Sequence, residues 1–432
     1  GPGLGLVVQG GTPSGIGGVD FGGFQPVLFS DNDLITAKTF LAGATVNTTN
    51  DEAIITQPTV GSPIIVAREG SQAAGTSSGV VYGAVEANSV NDSGLIALNG
   101  FVTGPGVDPT NNRGVWLSQQ GGTTTLIARS GNAAPGAGGA LYNSVGSPSL
   151  NFNGDLIFSG SLIGTGVNFT NGFGVWKQPA GGMPQLFVRA DTQSPGAPAG
   201  ENYGVFFEPL INAGGSAAFG GELIGATVQP IEKRAVWTEN LPSPIDLRLR
   251  GGDTSPDVPV DVKFSTINSP AFNSSGTFVV PALLTGPGIN FNNRDVLVGK
   301  TIDGDARILA RTGVMFDVDD DPNVTDMRLV LNPIQFIELS GGEDGRPTGL
   351  SENGQAAFTL NFQQTFSGVF VATFADSDCV ADVNGDGMLT PTDFTAWINA
   401  FNNNLPECDQ NGDGACTPTD FTAWIANFNA GC

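Results

Sequence analysis

The sequence predicts a mainly β protein, a six-bladed β-propeller followed by a small α-helical module, and three observations carry that prediction. One stretch, Asn91 to Gly131, recurs along most of the chain at a period of about 61 residues, which marks a repeat architecture. Glycine and proline fall between short apolar runs throughout, as turns between strands do. The last part of the chain breaks the pattern with two copies of an acidic loop, each followed by an apolar stripe at helical spacing.

The repeat has three landmarks. Gly94 returns as Gly154, Gly215 and Gly276, and after a longer step as Gly354; Trp116 returns as Trp176, Trp237 and Leu297. Arg129 is preceded by Arg68 and followed by Arg189, Arg250 and Arg311. Each copy splits into four strands separated by turn residues: in the copy ending at Arg129 they are Val80 to Glu86, Leu95 to Val102, Gly114 to Ser118 and Thr123 to Arg129. Four strands of typical length plus their turns fill one period, which is one propeller blade. The motif Asn-x-x-Gly-x-x-x-Phe is complete at Asn151, Gly154 and Phe158 and again at Asn212, Gly215 and Phe219. A short polar residue followed by glycine makes a tight turn, the side chain accepting local backbone hydrogen bonds and the glycine supplying positive φ.

The ends set the blade count. Asp33 stands one period before Gly94, so the first copy is degenerate. The last copy, Ser351 to Phe374, stops before any Arg strand, while Leu4 to Gln9 resembles that strand and Phe24 to Phe29 the one after it. If the N-terminal strands complete the last blade, six blades close into a ring with no long exposed edge; an open solenoid is the alternative. One copy is interrupted between Arg311 and Gly354. Asp317, Asp319, Asp321 and Asn323 in that insert are candidates for an extra cation site, against the plainer reading of a solvated acidic run. The tryptophan row reads as core between neighbouring sheets. The arginine row reads as bonding backbone or carboxylates between blades, a ring of ligand-binding arginines being the alternative.

Composition narrows the partners. The chain has 432 residues, 17 basic and 41 acidic, for a net charge of −24, which argues against nucleic acid. It contains no apolar run of about 18 residues, so no membrane span is expected. It opens at Gly1 with no basic n-region or apolar h-region, and reads as an exported protein whose signal peptide is removed, at the cell surface or beyond it. The four cysteines, Cys379, Cys408, Cys416 and Cys432, all lie near the end, which suggests disulfides in an oxidising compartment. A zinc site of four thiolates is the alternative, without the paired CxxC spacing it usually has.

The domains read as 1–374 for the propeller, 375–378 for a connector and 379–432 for the helical module. Asp382, Asn384, Asp386 and Asp393 put oxygen ligands at loop positions 1, 3, 5 and 12, with the Met388 backbone carbonyl at 7 and Gly387 at 6. That spacing wraps one calcium ion. Asp409, Asn411, Asp413, Ala415 and Asp420 repeat it, so two Ca2+ sites are expected here, the acidic insert being only a candidate for a third. Phe394, Trp397, Ile398 and Phe401 form one apolar helix stripe, and Phe421, Trp424, Ile425 and Phe428 the other, so the two stripes can pack together.

The duplicated DxNxDG loop and helix resembles a type I dockerin, and the Gly431-Cys432 ending with its flanking cysteines resembles the GC-ending kind. The repeats are similar to bacterial extracellular proteins with tandem NxxGxxxAF motifs. The resemblance implies a calcium-dependent plug that docks onto another protein, a cohesin-like receptor or a copy of the same chain. Dockerins commonly present Ser-Thr at loop positions 10 and 11; here Pro391-Thr392 and Pro418-Thr419 stand there as the partner-binding candidates. It also implies pairing of Cys379 with Cys432 and of Cys408 with Cys416.

No histidine is present, which removes Ser-His-Asp and Cys-His catalysis, and Gly75 to Gly79 matches GxSxG only formally. No catalytic residue is singled out. The expectation is therefore an exported, non-enzymatic assembly protein whose tail docks onto a partner, a neighbouring propeller included, to build a filament. The alternative is a glycan-binding or glycan-cleaving propeller, anchored to a surface scaffold by its dockerin and meeting extracellular polysaccharide.

Overall fold

The computed structural model describes residues 6–30, 32–58, 62–241, 243–302, 304–318, 326–342, 344–363, 366–374, 380–384, 391–403, 405–411 and 414–430. Among these residues the strands sort into six sheets. The first holds β1 (Val19–Phe29), β2 (Leu34–Gly43), β3 (Glu52–Pro58) and β4 (Ile64–Arg68), and the second β5 (Val81–Val90), β6 (Leu95–Thr103), β7 (Arg113–Gln119) and β8 (Thr124–Arg129). The third holds β9 (Leu141–Val145), β10 (Ser149–Leu150), β11 (Leu156–Ile163), β12 (Phe173–Gln178) and β13 (Gln185–Arg189). The fourth holds β14 (Asn202–Phe206), β15 (Leu210–Ile211), β16 (Ala217–Ile224), β17 (Arg234–Asn240) and β18 (Ser243–Arg250). The fifth holds β19 (Lys263–Ile267), β20 (Ala271–Phe272), β21 (Phe278–Thr285), β22 (Asp295–Lys300) and β23 (Arg307–Arg311). The sixth holds β24 (Met315–Asp317), β25 (Met327–Phe336), β26 (Gln355–Phe362) and β27 (Phe366–Thr373), and α1 (Pro391–Asn403) and α2 (Pro418–Ala430) follow. The four strands expected in the second repeat each begin within a residue of β5 to β8.

The chain divides into two compact units, one of Gly1–Asp253, Phe264–Ser274 and Glu338–Thr348, the other of Thr254–Lys263, Ser275–Ile337 and Gly349–Cys432. In the first unit consecutive sheets pack face to face. Leu34 and Ile54 of the first sheet share a core with Tyr82, Leu98 and Trp116 of the second. Ala97 and Val115 meet Tyr142, Phe158 and Trp176 of the third, and Ile157 and Val175 meet Tyr203, Phe219 and Trp237 of the fourth. The tryptophan row is thus core between sheets, and each indole N–H finds an acceptor. Trp116 donates to the Ala74 carbonyl at 3.0 Å, Trp176 to the Pro135 carbonyl at 2.9 Å and Trp237 to Ser194 Oγ at 2.8 Å.

The turn motif works as its residues predict. Gly94, Gly154 and Gly215 have φ of +80°, +90° and +83°, and Asp33, at the degenerate position, takes the same left-handed conformation with φ +61°. Asn91 Oδ1 accepts from the Ser93 and Leu95 backbone N–H groups at 3.1 and 3.0 Å. Its amide Nδ2 does something the motif did not announce. It donates to the Asn151 carbonyl at 3.0 Å, Asn151 donates to the Asn212 carbonyl at 3.1 Å, and Asn212 to the Asn273 carbonyl at 2.9 Å. In three consecutive repeats a buried asparagine therefore caps its own turn and hydrogen-bonds the next repeat.

The arginine row is structural and acts within a repeat. Arg68, Arg129 and Arg189 each donate Nε to the carbonyl of the asparagine 18 residues earlier, Asn50, Asn111 and Asn171, at 3.0, 2.7 and 3.1 Å, and in the second unit Arg311 does the same to Asn293 at 2.9 Å. Arg250 departs, forming ion pairs with Glu201 at 2.8 Å and Glu232 at 3.1 Å.

Two expectations at the ends need correction. Leu6 to Gln9 carry no strand, Gly1 to Gly5 lie outside the described residues, and Phe24 to Phe29 lie in β1, paired with β2. The sixth sheet instead takes a fourth strand from the insert, β24, which pairs Met315 to Asp317 with Leu329 to Met327 of β25. The later part of the insert, Glu338–Thr348, belongs to the first unit, where it touches several repeats at once. The Gly345 and Asp344 carbonyls accept from the Phe29 and Val90 N–H groups, each at 2.9 Å, and the Ser340 carbonyl accepts from Phe272 N–H at 3.0 Å. Arg346 donates to the carbonyls of Asn88, Pro148 and Leu339 at 2.6, 2.7 and 2.9 Å. Asp344, wholly buried, accepts from Ser340 Oγ and the Arg346 N–H, both at 3.0 Å. Burial drives its carboxyl above the usual carboxylate range, against the pull of Arg346 and these donors.

Candidate functional site

The helical module is built around two tryptophans. Trp397 on α1, Trp424 on α2 and Ala381 form its buried core, with Phe394, Phe401 and Phe428 packed on them. The two expected stripes do meet, Phe394 lying 5.6 Å from Phe421 and 5.1 Å from Trp424 between ring centroids. Ile398 and Ile425 are exposed, so each stripe is wider than the contact it makes. The indoles are tied crosswise. Trp397 donates to the carbonyl of Cys408, which precedes the second loop, at 3.2 Å, and Trp424 to the carbonyl of Ala381, which precedes the first, at 3.1 Å.

The loop-closing carboxylates are buried where α1 and α2 begin. Asp393 Oδ1 accepts from Asn384 N–H at 3.3 Å, and Asp420 Oδ1 accepts from Asn411 N–H at 3.2 Å and Gln410 N–H at 3.0 Å. Asp420 Oδ2 accepts from the Thr417 N–H at 2.7 Å, and these donors, Thr417 foremost, hold its carboxyl below the usual carboxylate range. Asp409 Oδ2 accepts from Gly414 N–H at 2.8 Å, and Gly414 takes φ +83°, the sharp bend expected at the sixth position of the loop. Asp382, Asn384, Asp393, Asp409, Asn411 and Asp420 supply oxygen only, the chemistry that suits a hard divalent cation. Among the described residues no group of three acidic side chains lies close enough to hold a metal, and the central ligands Asp386 and Asp413, with Met388, lie outside them.

The partner-binding candidates stand at the two helix starts. Pro391, Thr392, Pro418 and Thr419 are exposed. Thr392 Oγ1 accepts from Asn384 Nδ2 at 3.1 Å and Thr419 Oγ1 from Asn411 Nδ2 at 3.4 Å, so each threonine also turns its loop asparagine. The Cys408–Cys416 disulfide is present; Cys379 and Cys432 lie outside the described residues. Of the acidic insert only Asp317 is described, accepting from Asp326 N–H at 3.0 Å; Asp319, Asp321 and Asn323 lie outside. No helix among the described residues is long and apolar enough to cross a membrane.

Comparison with known proteins follows the same division of the chain. A family profile described as a family of unknown function, DUF7453, matches residues 2–98 and 64–375. The profile of the dockerin type I domain matches residues 380–429. No curated protein matches. Among solved structures, the chain is similar to an alpha-L-arabinanase of Penicillium chrysogenum complexed with arabinobiose, at 13% identity and a TM-score of 0.33, over 81% of this chain and 96% of that one. It is similar to the Dos1 propeller at 9% identity and a TM-score of 0.35, over 78% and 65% of the two chains. It is also similar to an acylaminoacyl peptidase of Pyrococcus horikoshii at 11% identity and a TM-score of 0.38, over 81% of this chain and 44% of that one. The expectation of a non-enzymatic protein does not stand, because lack of histidine excludes only histidine-based chemistry. At these identities the resemblances assign no activity to this chain.

Proposed function

Because the chain belongs to the DUF7453 family of unknown function and ends in a type I dockerin domain, we propose that it is an extracellular protein whose calcium-loaded tail docks it onto a cohesin-like partner. Its repeat body, a six-bladed propeller over 1–374, then meets a glycan, which it binds or cleaves. The observation that carries the docking reading is the crosswise tie of Trp397 to Cys408 and of Trp424 to Ala381. Each helix holds the residue leading into the other helix's loop, so two calcium ions, held by Asp382, Asn384, Asp386, Asp393 and the Met388 carbonyl and by Asp409, Asn411, Asp413, Asp420 and the Ala415 carbonyl, would set the whole module rather than one half. The face-to-face stacking of consecutive sheets supports the propeller, and a cavity in the body lined by serine hydroxyls, an arginine and aromatic rings supports the glycan.

The test is calorimetric titration of the full chain with a cohesin module, in calcium and then in chelator. Binding that needs calcium, and weakens at least tenfold in Asp393→Asn/Asp420→Asn, is expected; calcium-independent binding, or none to any cohesin, sinks the docking half. A second reading is favoured by the apolar groove of about 350 Å3 on the tail, bordered by Phe394, Phe421, Trp424 and Ile425. There a neighbouring copy would seat instead and build a filament. Electron microscopy with calcium and then chelator separates the two, since ordered polymers that dissolve on chelation belong to self-assembly alone.

A further inference from the structure

The first unit contains a cavity of about 440 Å3 whose lining includes Arg113, Ser144, Ser159, Ser161, Phe173 and Phe206. Its origin is legible in the repeat. Cross-strand partners at one position are Phe40 and Glu52 in the first sheet, Phe101 and Arg113 in the second, and Glu222 and Arg234 in the fourth. In the third sheet the pair is Ser161 and Phe173, so a hydroxymethyl stands where its neighbours carry a large side chain, and the volume opens. Gly146, Gly160 and Gly174 line the same cavity.

The lining has a definite chemistry. Ser144 and Ser161 share a hydrogen bond of 2.6 Å, Asn143 Nδ2 donates to Ser161 Oγ at 3.1 Å, and the half-buried Phe173 offers a ring. Arg113 is the one charged residue in the lining. Its guanidinium lies over the Phe101 ring, 4.4 Å from the centroid, and forms no ion pair among the described residues. Hydroxyls in reach, an aromatic face and one uncompensated cation suit a sugar carrying a carboxylate: the fork of arginine takes the anion, the serines take hydroxyls, and the ring covers the sugar's C–H face. We propose that this cavity binds a uronic acid unit of an acidic glycan. The proposal rests on the reading of the body as a glycan-binding propeller and names the sugar class.

The experiment titrates the calcium-loaded full chain with cellobiouronate and with cellobiose, which differ by the carboxylate, beside two variants. Arg113→Gln changes an exposed residue and should lower affinity for cellobiouronate about tenfold, to the level of cellobiose. Ser161→Phe places in the third repeat the residue that stands at the same position in the second and should abolish binding of both sugars, with the thermal midpoint unchanged. Equal affinity of the wild type for the two sugars, or unchanged binding by Ser161→Phe, overturns the cavity while leaving a glycan-binding body. Failure of the wild type to bind either sugar at millimolar concentration overturns the cavity; failure to bind any polysaccharide presented beside them overturns the broader reading too.

Discussion

The indole of Trp424 hydrogen-bonds the carbonyl of Ala381 at 3.1 Å, so the second helix of the tail holds the residue that leads into the first calcium loop. The bond is buried and joins parts of the chain 43 residues apart. Trp424→Phe keeps the ring packing and removes the donor, leaving a buried carbonyl unpaired. It should cost about 1–2 kcal/mol and weaken calcium at the first loop more than at the second. Calcium titration resolving the two sites checks this; equal weakening of both, or of the second alone, counts against the crosswise tie.

The Cys408–Cys416 disulfide closes a short ring around the start of the second loop. Cross-linking so short a segment restricts the unfolded chain by about 2–3 kcal/mol. Cys416→Ser should lower tail stability by that amount, and the second calcium site should lose affinity because Asp409 and Asn411 lie inside the ring. Chemical denaturation followed by tryptophan fluorescence measures the first effect; a variant as stable as the wild type would show the bridge to be dispensable.

The asparagine ladder makes a sharper claim about the body. Asn151 is fully buried, accepts from Asp155 N–H at 2.8 Å and donates to the Asn212 carbonyl at 3.1 Å. Asn151→Ala leaves the Asp155 N–H without its acceptor and takes one of two donors from the Asn212 carbonyl, which keeps the Gly215 N–H at 2.9 Å, and should cost about 1–3 kcal/mol. Asn153→Ala removes a contact of the same length to the Ala213 carbonyl, but at an exposed position, and should fall within about half a kcal/mol of wild type. Similar midpoints for the two variants would mean the ladder contributes little.

All three tyrosines, Tyr82, Tyr142 and Tyr203, have phenols that burial pushes above the ordinary tyrosine value, Tyr82 against a hydrogen bond from Ala74 N–H and Tyr203 with added repulsion from Asp246. Among the described residues the hydroxyls of Tyr142 and Tyr203 have no hydrogen-bond partner to offset the loss of water. A raised native pKa means the folded state keeps protons that the unfolded state releases. Stability is therefore whole below pH about 10 and falls above it. Spectrophotometric titration should show phenolate appearing at higher pH in the native protein than in the denatured chain; an ordinary titration curve for the native state would contradict the packing.

Much of this was written in the repeat. The glycine turns, the buried tryptophans and the starts of β5 to β8 all follow from local pattern, and even Asp33, placed by alignment where a glycine should be, takes the left-handed conformation the turn needs. The outward reach of the asparagines was not legible, because the acceptor is a backbone carbonyl one repeat away and every residue carries one. The insert's role in the first unit was hidden for a related reason, since it falls to Arg346 and Asp344, which reach other repeats through main-chain groups. In the tail, loop spacing singled out the candidate ligands, and Thr392 and Thr419, read as partner contacts, also hydrogen-bond Asn384 and Asn411.

The segment Glu338–Thr348 also sets an order of events during synthesis. Phe29, Val90, Asn88 and Pro148 leave the ribosome well before Arg346, which lies 258 residues beyond Asn88. Until then their inward amides and carbonyls have only water, and the first four sheets can assemble but cannot lock. Closing so long a stretch of chain is slow compared with pairing neighbouring strands. The unit is thus completed by a late, distant latch, and a nascent chain halted before residue 338 would hold sheets that breathe where the finished protein does not.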